Sequence, residues 1–284
     1  MAILEAEREI ELKHDKPKSP KHISFDIEKE AEELSKLEII TEDGIPLESN
    51  WHRLQMNLLI DLVLFIWRDR DDYFVGGNMF IYYNLQQVKT LDYRGPDVFV
   101  VKNVDGMVKR DCWVVWEEKG RYPDVIVELS SPTTIKTDLV IKKEIYEQIF
   151  HTQEYYCYDP YTEKLFGWKL VKGRYEEMKP NEQGWLYSVQ LEVWLGIWHG
   201  LFKRENTKWL RFYNDEKQLV PTTEEFEALK AKEEAKKAAQ EAKRADEEAK
   251  KAAQEAKRAQ EAKAESERLR KLLAKHGIVD NGTV

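Results

Sequence analysis

The sequence predicts an α/β fold, a mixed β-sheet flanked by helices with one long helix appended, and three observations carry that expectation. Short runs rich in β-branched and aromatic residues, centred on Val98-Phe-Val-Val101, Val125-Ile-Val-Glu-Leu129 and Tyr155-Tyr-Cys-Tyr158, are interrupted by one helical pattern between the second and third. That order, strand, strand, helix, strand, gives a sheet with both parallel and antiparallel neighbours. The composition allows a packed core: 284 residues, 42% hydrophobic, with 9 Trp, 13 Tyr and 10 Phe. Charged residues make up 35%, above the usual quarter or so, and the excess must be localised.

Residues 1–37 are dominated by Glu, Lys, Asp and Pro and read as a loosely ordered lead-in with one short helix near Glu28 to Leu37. Leu54, Leu58, Leu62, Phe65 and Ile66 have the spacing of an amphipathic helix docked on a core. Glu48 and His52 lie one turn apart near its start, and His52 reads as a helix-face residue. Tyr73-Phe-Val and Met79 to Tyr83 read as short strands around Gly76-Gly77, which lacks the Lys-Ser/Thr of a phosphate loop. Arg94-Gly-Pro-Asp97 is a turn leading into the first buried run. A hairpin-type turn is expected at Asp105-Gly106, and Trp113 to Trp116 reads as strand.

The central stretch is Tyr122-Pro-Asp-Val-Ile-Val-Glu-Leu-Ser-Ser-Pro132. Strand alternation puts Asp124, Ile126 and Glu128 on one face and Val125, Val127 and Leu129 on the other. Glu128 sits just before Ser-Ser-Pro ends the strand, at a sheet end where other elements converge. In the following helix Asp138, Lys142 and Tyr146 recur every four residues and share a stripe, which brings a lysine opposite the carboxylate strand. Asp97 begins one strand and Glu128 ends another, so the two acids can meet. Two acids and a lysine are the residue types of metal-assisted phosphodiester cleavage: carboxylates hold a hard divalent cation, and an amine steadies the developing charge. Asp124, four residues from Glu128 and so about 13 Å away along the strand, reads as a strand-entry or supporting residue. Glu48 is a candidate third carboxylate from the first helix.

From Trp185 to Phe212, Trp185, Tyr187, Trp194, Trp198, Phe202 and Trp209 among Leu and Val suggest a cover closing over the sheet. After Pro221 the composition changes abruptly. Glu233–Asp246 is followed by a near copy, Glu247–Gln260, and alanines recur three and four apart from Ala228 to Ala259, a two-heptad repeat with coiled-coil potential. The expected domains are therefore the lead-in 1–37, a globular domain 38–214, a long Ala/Glu/Lys-rich helix 215–276 and a short tail 277–284. The helix implies a homo-oligomer or a helical partner.

A formal net charge of -8 gives no footprint of a generic nucleic-acid binder, so contact with phosphate has to rely on a local basic surface or on metal ions. Cys112 and Cys157 make no disulfide scaffold in a chain of this length. The charged N-terminus has no signal-peptide core, and the longest apolar run, Leu58 to Trp67, is too short to span a bilayer. A cytoplasmic protein without membrane association is expected. Ser130-Ser131 lacks the Gly-X-Ser-X-Gly elbow of a serine hydrolase.

Taken together, Arg94-Gly-Pro-Asp-Val-Phe-Val-Val, Pro-Asp-Val-Ile-Val-Glu-Leu-Ser-Ser-Pro-Thr, Asp138 through Lys142 to Tyr146, and Glu154-Tyr-Tyr-Cys-Tyr-Asp-Pro resemble a bacterial family named for "putative restriction endonucleases" within the PD-(D/E)XK nuclease superfamily, over about Leu47 to Asn214. The resemblance implies a restriction endonuclease-like fold, DNA as substrate and Mg²⁺ or Mn²⁺ as cofactor. It implies Asp97, Glu128 and the backbone carbonyl of Leu129 as metal-holding groups and Lys142 as the catalytic lysine. The sequence departs from the superfamily pattern at Ser130, where lysine is usual, and the resembled family moves that lysine to the next helix. A second expectation follows from that departure: a nuclease fold with weak or no catalysis, acting as an interaction or regulatory module through the helical tail.

Overall fold

The computed structural model describes residues 49–84 and 95–275; Glu48, Arg94, the lead-in and the residues after Lys275 lie outside them. Helix α1 (Asn50–Ile66) starts at an N-cap, where the Ser49 hydroxyl accepts a hydrogen bond from the His52 backbone N–H at 3.1 Å. Three strands follow, β1 (Tyr73–Gly77), the two-residue β2 (Ile81–Tyr82) and β3 (Val98–Lys102), then the equally short β4 (Trp113–Val114) and β5 (Val125–Leu129). A helical segment made of a π-helical turn (Thr137–Lys142) and α2 (Lys143–Gln148) leads to β6 (Glu154–Asp159), β7 (Lys164–Val171) and β8 (Arg174–Glu177). The main sheet has the order β1-β3-β5-β6-β7-β8. Only β5 and β6 run parallel within it, because only they are joined by a helical crossover; its other neighbours are antiparallel.

Period-two alternation divides the core between the two faces of the sheet. Val98, Val100, Val125, Val127, Leu129, Tyr156 and Tyr158 pack with Leu58, Leu59, Leu62 and Val63 of α1. Phe99, Val101, Ile126, Tyr155 and Cys157 pack on the other face with Tyr146 of the crossover helix and Phe150 just after it. The sheet therefore has a helix on each face.

The aromatic stretch after Trp185 forms a second sheet, with β9 (Leu186–Ser188), β10 (Val193–Phe202) and β11 (Glu205–Tyr213) in the order β11-β10-β9. It covers the far side of α1. Gln55, fully buried on α1, donates to the Leu210 carbonyl at 3.0 Å and accepts from the Leu210 N–H at 2.8 Å, which locks helix to strand without leaving a buried amide unpaired. Glu154, also buried, accepts from the Ser188 hydroxyl, the backbone N–H groups of Val189 and Gln190 and the Tyr156 hydroxyl. One carboxylate from the main sheet thus organises the turn between β9 and β10 in the second.

The last element, α3 (Thr223–Lys275), runs 53 residues with none buried. Its start is a capping box: the Glu225 N–H donates to Thr222 Oγ1 at 3.1 Å and the Thr222 N–H donates to Glu225 Oε2 at 2.8 Å. Fully buried Arg211 on β11 grips the same Glu225 at 2.6 and 3.1 Å. Phe226 packs on Phe65 of α1 with ring centres 5.2 Å apart.

Several sequence expectations change in the detail. The expected strand at Trp113 to Trp116 is only two residues long and pairs in parallel with β2. Asp105-Gly106 closes no hairpin, since β3 pairs with β1 and β5; the Gly106 N–H instead bonds the Asp71 carbonyl at 2.8 Å. The long helix begins at Thr223 rather than near residue 215. No described helix is long and apolar enough to cross a membrane.

Candidate active site

The candidate residues meet at the end of the main sheet, where side chains from both layers reach the same point. The β3–β5 register pairs Val98 with Val127, so Asp97 at the mouth of β3 lies beside Glu128. The two are joined directly: the Asp97 backbone N–H points at Glu128 Oε2 at 3.4 Å, and the Leu129 N–H donates to Asp97 Oδ2 at 2.7 Å. From the crossover helix, Lys142 Nζ lies 3.0 Å from Glu128 Oε2 and 2.9 Å from Asp138 Oδ1. The Tyr146 hydroxyl donates to Glu128 Oε1 at 2.7 Å. From the opposite layer, His52 Nε2 sits 2.7 Å from Asp97 Oδ1.

Burial sets the electrostatics. Glu128 is fully enclosed, whereas the side chains of Asp97 and Lys142 keep 15% and 24% of their exposure, so the cluster opens to solvent through those two. Desolvation pushes the Glu128 carboxyl up to about 8, against the pull of the Lys142 ammonium and with the help of the Asp97 and Asp138 charges. Asp97 goes the other way. Burial acts to raise it, but the His52 hydrogen bond and charge, the Lys142 ammonium and the Leu129 N–H together hold it below the usual carboxylate range. Lys142 is raised: burial alone lowers it, and the three surrounding carboxylates more than reverse that, so it stays an ammonium throughout the physiological range.

Of the residues singled out from sequence, the structure brings Asp97, Glu128 and Lys142 together. Asp124 stands at the other end of β5, where it accepts from the Lys102 N–H at 2.7 Å and faces Arg121 at 3.5 Å; Glu48 lies outside the described residues. Lys143, next to the lysine that reaches the acids, instead places its ammonium 4.7 Å from the Trp168 ring centre. His52 is the residue that sequence reasoning missed. It is not a plain helix-face residue, and its one legible signal is the Ser49 N-cap, which fixes the first turn and aims that face at the sheet end. The segment carrying Asp138 and Lys142 is also not the regular α-helix expected: the Lys143 N–H bonds the Asp138 carbonyl five residues back, a π-helical turn, of a kind that recurs at functional sites.

The donor set fits a hard divalent cation. Glu128 is buried among like charges and raised toward neutrality, a condition that a cation relieves. Glu128 Oε1 and both Asp97 oxygens each accept one donor and retain a lone pair, whereas Glu128 Oε2 already faces both the Asp97 N–H and the Lys142 ammonium. In a strand the N–H and C=O of one residue project to the same side, so the Leu129 carbonyl lies on the Asp97 side. Among the described residues no three or more His, Cys, Asp or Glu side chains form a metal-holding group. A cation here would rest on two carboxylates and a carbonyl, with water and substrate oxygens completing the shell, a composition Mg²⁺ commonly accepts.

A mixed sheet whose end gathers two acids and a lysine has the residue types of a metal-assisted hydrolase. Residues 26–201 match the family described as "Putative restriction endonuclease" (Uma2), more than half of the chain, and the chain belongs to that family. Among solved structures it is similar to one titled "a putative nuclease belonging to DUF820" from Anabaena variabilis, at 12% identity and a TM-score of 0.38, over 51% of this chain and 76% of that one. No curated protein matches.

Proposed function

We propose that the chain is a Mg²⁺-dependent endonuclease that hydrolyses DNA phosphodiester bonds, with Mn²⁺ as a substitute ion. The observation that carries this reading is the meeting of Asp97 and Glu128 across adjacent strands with the Lys142 ammonium 3.0 Å from Glu128. Asp97, Glu128 and the Leu129 carbonyl are the groups that would hold the ion, which when bound supplies Lewis-acid polarisation of a phosphoryl oxygen and a more acidic water. His52 and the Leu129 N–H fix the Asp97 carboxylate from two sides, and Tyr146 fixes Glu128. Lys142 has three N–H donors, pairs ionically with Glu128 and Asp138 and keeps 24% of its side-chain exposure, so its ammonium can also reach a phosphate oxygen or the attacking water. Held as an ammonium, it acts as a donor that steadies developing negative charge and not as the proton acceptor.

The test is cleavage of supercoiled plasmid by the purified chain with and without Mg²⁺. Nicking that requires Mg²⁺ and is abolished by Glu128→Ala in a protein that still melts cooperatively supports the reading. Cleavage that survives the substitution overturns it.

A second reading rests on α3, which buries none of its 53 residues. In it the alanine seam is a close-packing stripe for another helix, a second copy of this chain or a helical partner, and the domain serves as an interaction module. Sedimentation of the full chain against one ending at Ala231, which keeps the Glu225 and Phe226 anchors, tests the self-association it implies: the same oligomeric state in both removes it.

A further inference from the structure

The site contains a carboxylate that the proposed chemistry does not use. Asp138 is 2% exposed and lies on the Lys142 side of the cluster, where its carboxylate meets the Lys142 ammonium and a hydroxyl. The hydroxyl is Ser130 Oγ, which donates to Asp138 Oδ2 at 2.7 Å. Burying an acid is costly unless every oxygen is matched, so the enclosure of Asp138 calls for an explanation.

The geometry supplies one. Ser130 and Glu128 are two apart on β5 and so share a face; Asp138 and Lys142 are four apart on the facing helix. Glu128 meets Lys142 and Ser130 meets Asp138 across the gap, while Asp138 meets Lys142 along the helix, giving two rungs joined on the helix side. The uprights are pinned independently. The Tyr155 hydroxyl donates to the Asp138 carbonyl at 2.9 Å, and the five-residue backbone bond at Asp138 widens the coil where it faces the strand. Cys157 Sγ packs 2.9 Å from Ser130 Oγ, which limits how the hydroxyl can turn.

We propose that Ser130 and Asp138 form a positioning pair: Ser130 orients the Asp138 carboxylate, and that carboxylate holds the Lys142 amine at Glu128, so that a lysine borne on a helix serves a site built on strands. The inference rests on the nuclease reading for its purpose, but the placement it asserts is testable without cleavage.

The experiment is acetylation of the metal-free chain with N-hydroxysuccinimidyl acetate, Lys142 being quantified by mass spectrometry against exposed Lys136. An amine held between two carboxylates is a poor nucleophile. In Asp138→Asn the amine loses one of the two negative charges that hold it, and its relative labelling rises several-fold. Ser130→Ala, which leaves the acid in place but unoriented, raises labelling a few-fold, and Ser130→Thr, which keeps the hydroxyl, returns it to the parent rate. Parent-rate labelling in both Asp138→Asn and Ser130→Ala overturns the proposal. Should Asp138→Asn fail to fold, the Ser130 pair of variants decides alone. In a chain that cuts DNA, Ser130→Ala lowers kcat with Mg²⁺ affinity by calorimetry unchanged; lost Mg²⁺ affinity with kcat intact would assign Asp138 to the cation and also overturn it. A parent chain that neither cuts DNA nor binds Mg²⁺ sinks the nuclease reading while the labelling still decides this one.

Discussion

Asp138–Lys142 and Asp246–Lys250 are the same sequence motif, an aspartate four residues before a lysine, and both form ion pairs, at 2.9 and 2.6 Å. The first pair is 2% and 24% exposed by side chain; the second, on α3, is 63% and 75% exposed. In solvent the charges are screened and the pair adds a few tenths of a kcal/mol to helix stability. Against the sheet, with Glu128 as a third member, the ammonium cannot be removed without stranding buried carboxylates. Spacing alone tells that two side chains meet; burial decides whether the meeting matters.

The largest effect that sharpens this contrast is on cleavage itself: Glu128→Ala is expected to lower the rate by at least about a thousandfold, as loss of a main electrostatic group does, while Asp246→Ala leaves it unchanged in the same plasmid assay. Next is stability. Lys142→Ala leaves buried carboxylates without their cation and should cost about 3–5 kcal/mol in urea denaturation, against under about 0.5 kcal/mol for Lys250→Ala; equal costs would show the buried pair to be no different from the solvated one. Third, His52→Ala should weaken Mn²⁺ binding by about 10–100-fold in calorimetry, as loss of a ligand-orienting partner does, with partial recovery in His52→Gln.

A fourth effect is on pH dependence. The Glu128 carboxyl is raised from 4.5 to about 8. Below pH 4.5 it is protonated whether folded or unfolded; between 4.5 and 8 the unfolded chain has released the proton and the folded chain retains it. The unfolded state binds fewer protons in that window, so this group makes stability fall as pH rises. Thermal melts of metal-free protein should therefore flatten between pH 5 and 8 in Glu128→Gln. Mg²⁺ competes with the same proton, so affinity should tighten from pH 6.5 to 8.5, and an affinity independent of pH would break the assignment of Glu128.

Much of this was legible in the residues because a strand has only two faces. Once Val125, Val127 and Leu129 are read as core, Glu128 can point only to the other side, and Pro96-Asp97 can only enter the neighbouring strand. Lys142 followed from its spacing to Asp138 and Tyr146. His52 did not, since a histidine on a helix reads alike whether it faces water or an acid on another strand 45 residues away. The π-helical turn is marked by no residue type, and the role of Ser130 depends on the facing helix. Around Trp185 to Phe212 the bulk of the aromatics masked a second sheet, because partial burial blurs the alternation that would have revealed its strands.

Arg211, Thr222 and Glu225 fix the root of α3 on the same layer that carries His52. At about 1.5 Å per residue, the helix beyond that root is a spar of roughly 75 Å, longer than two turns of duplex DNA at about 34 Å each. Anything gripped near its tip is thereby kept at arm's length from the acids, a fixed yardstick written into the chain.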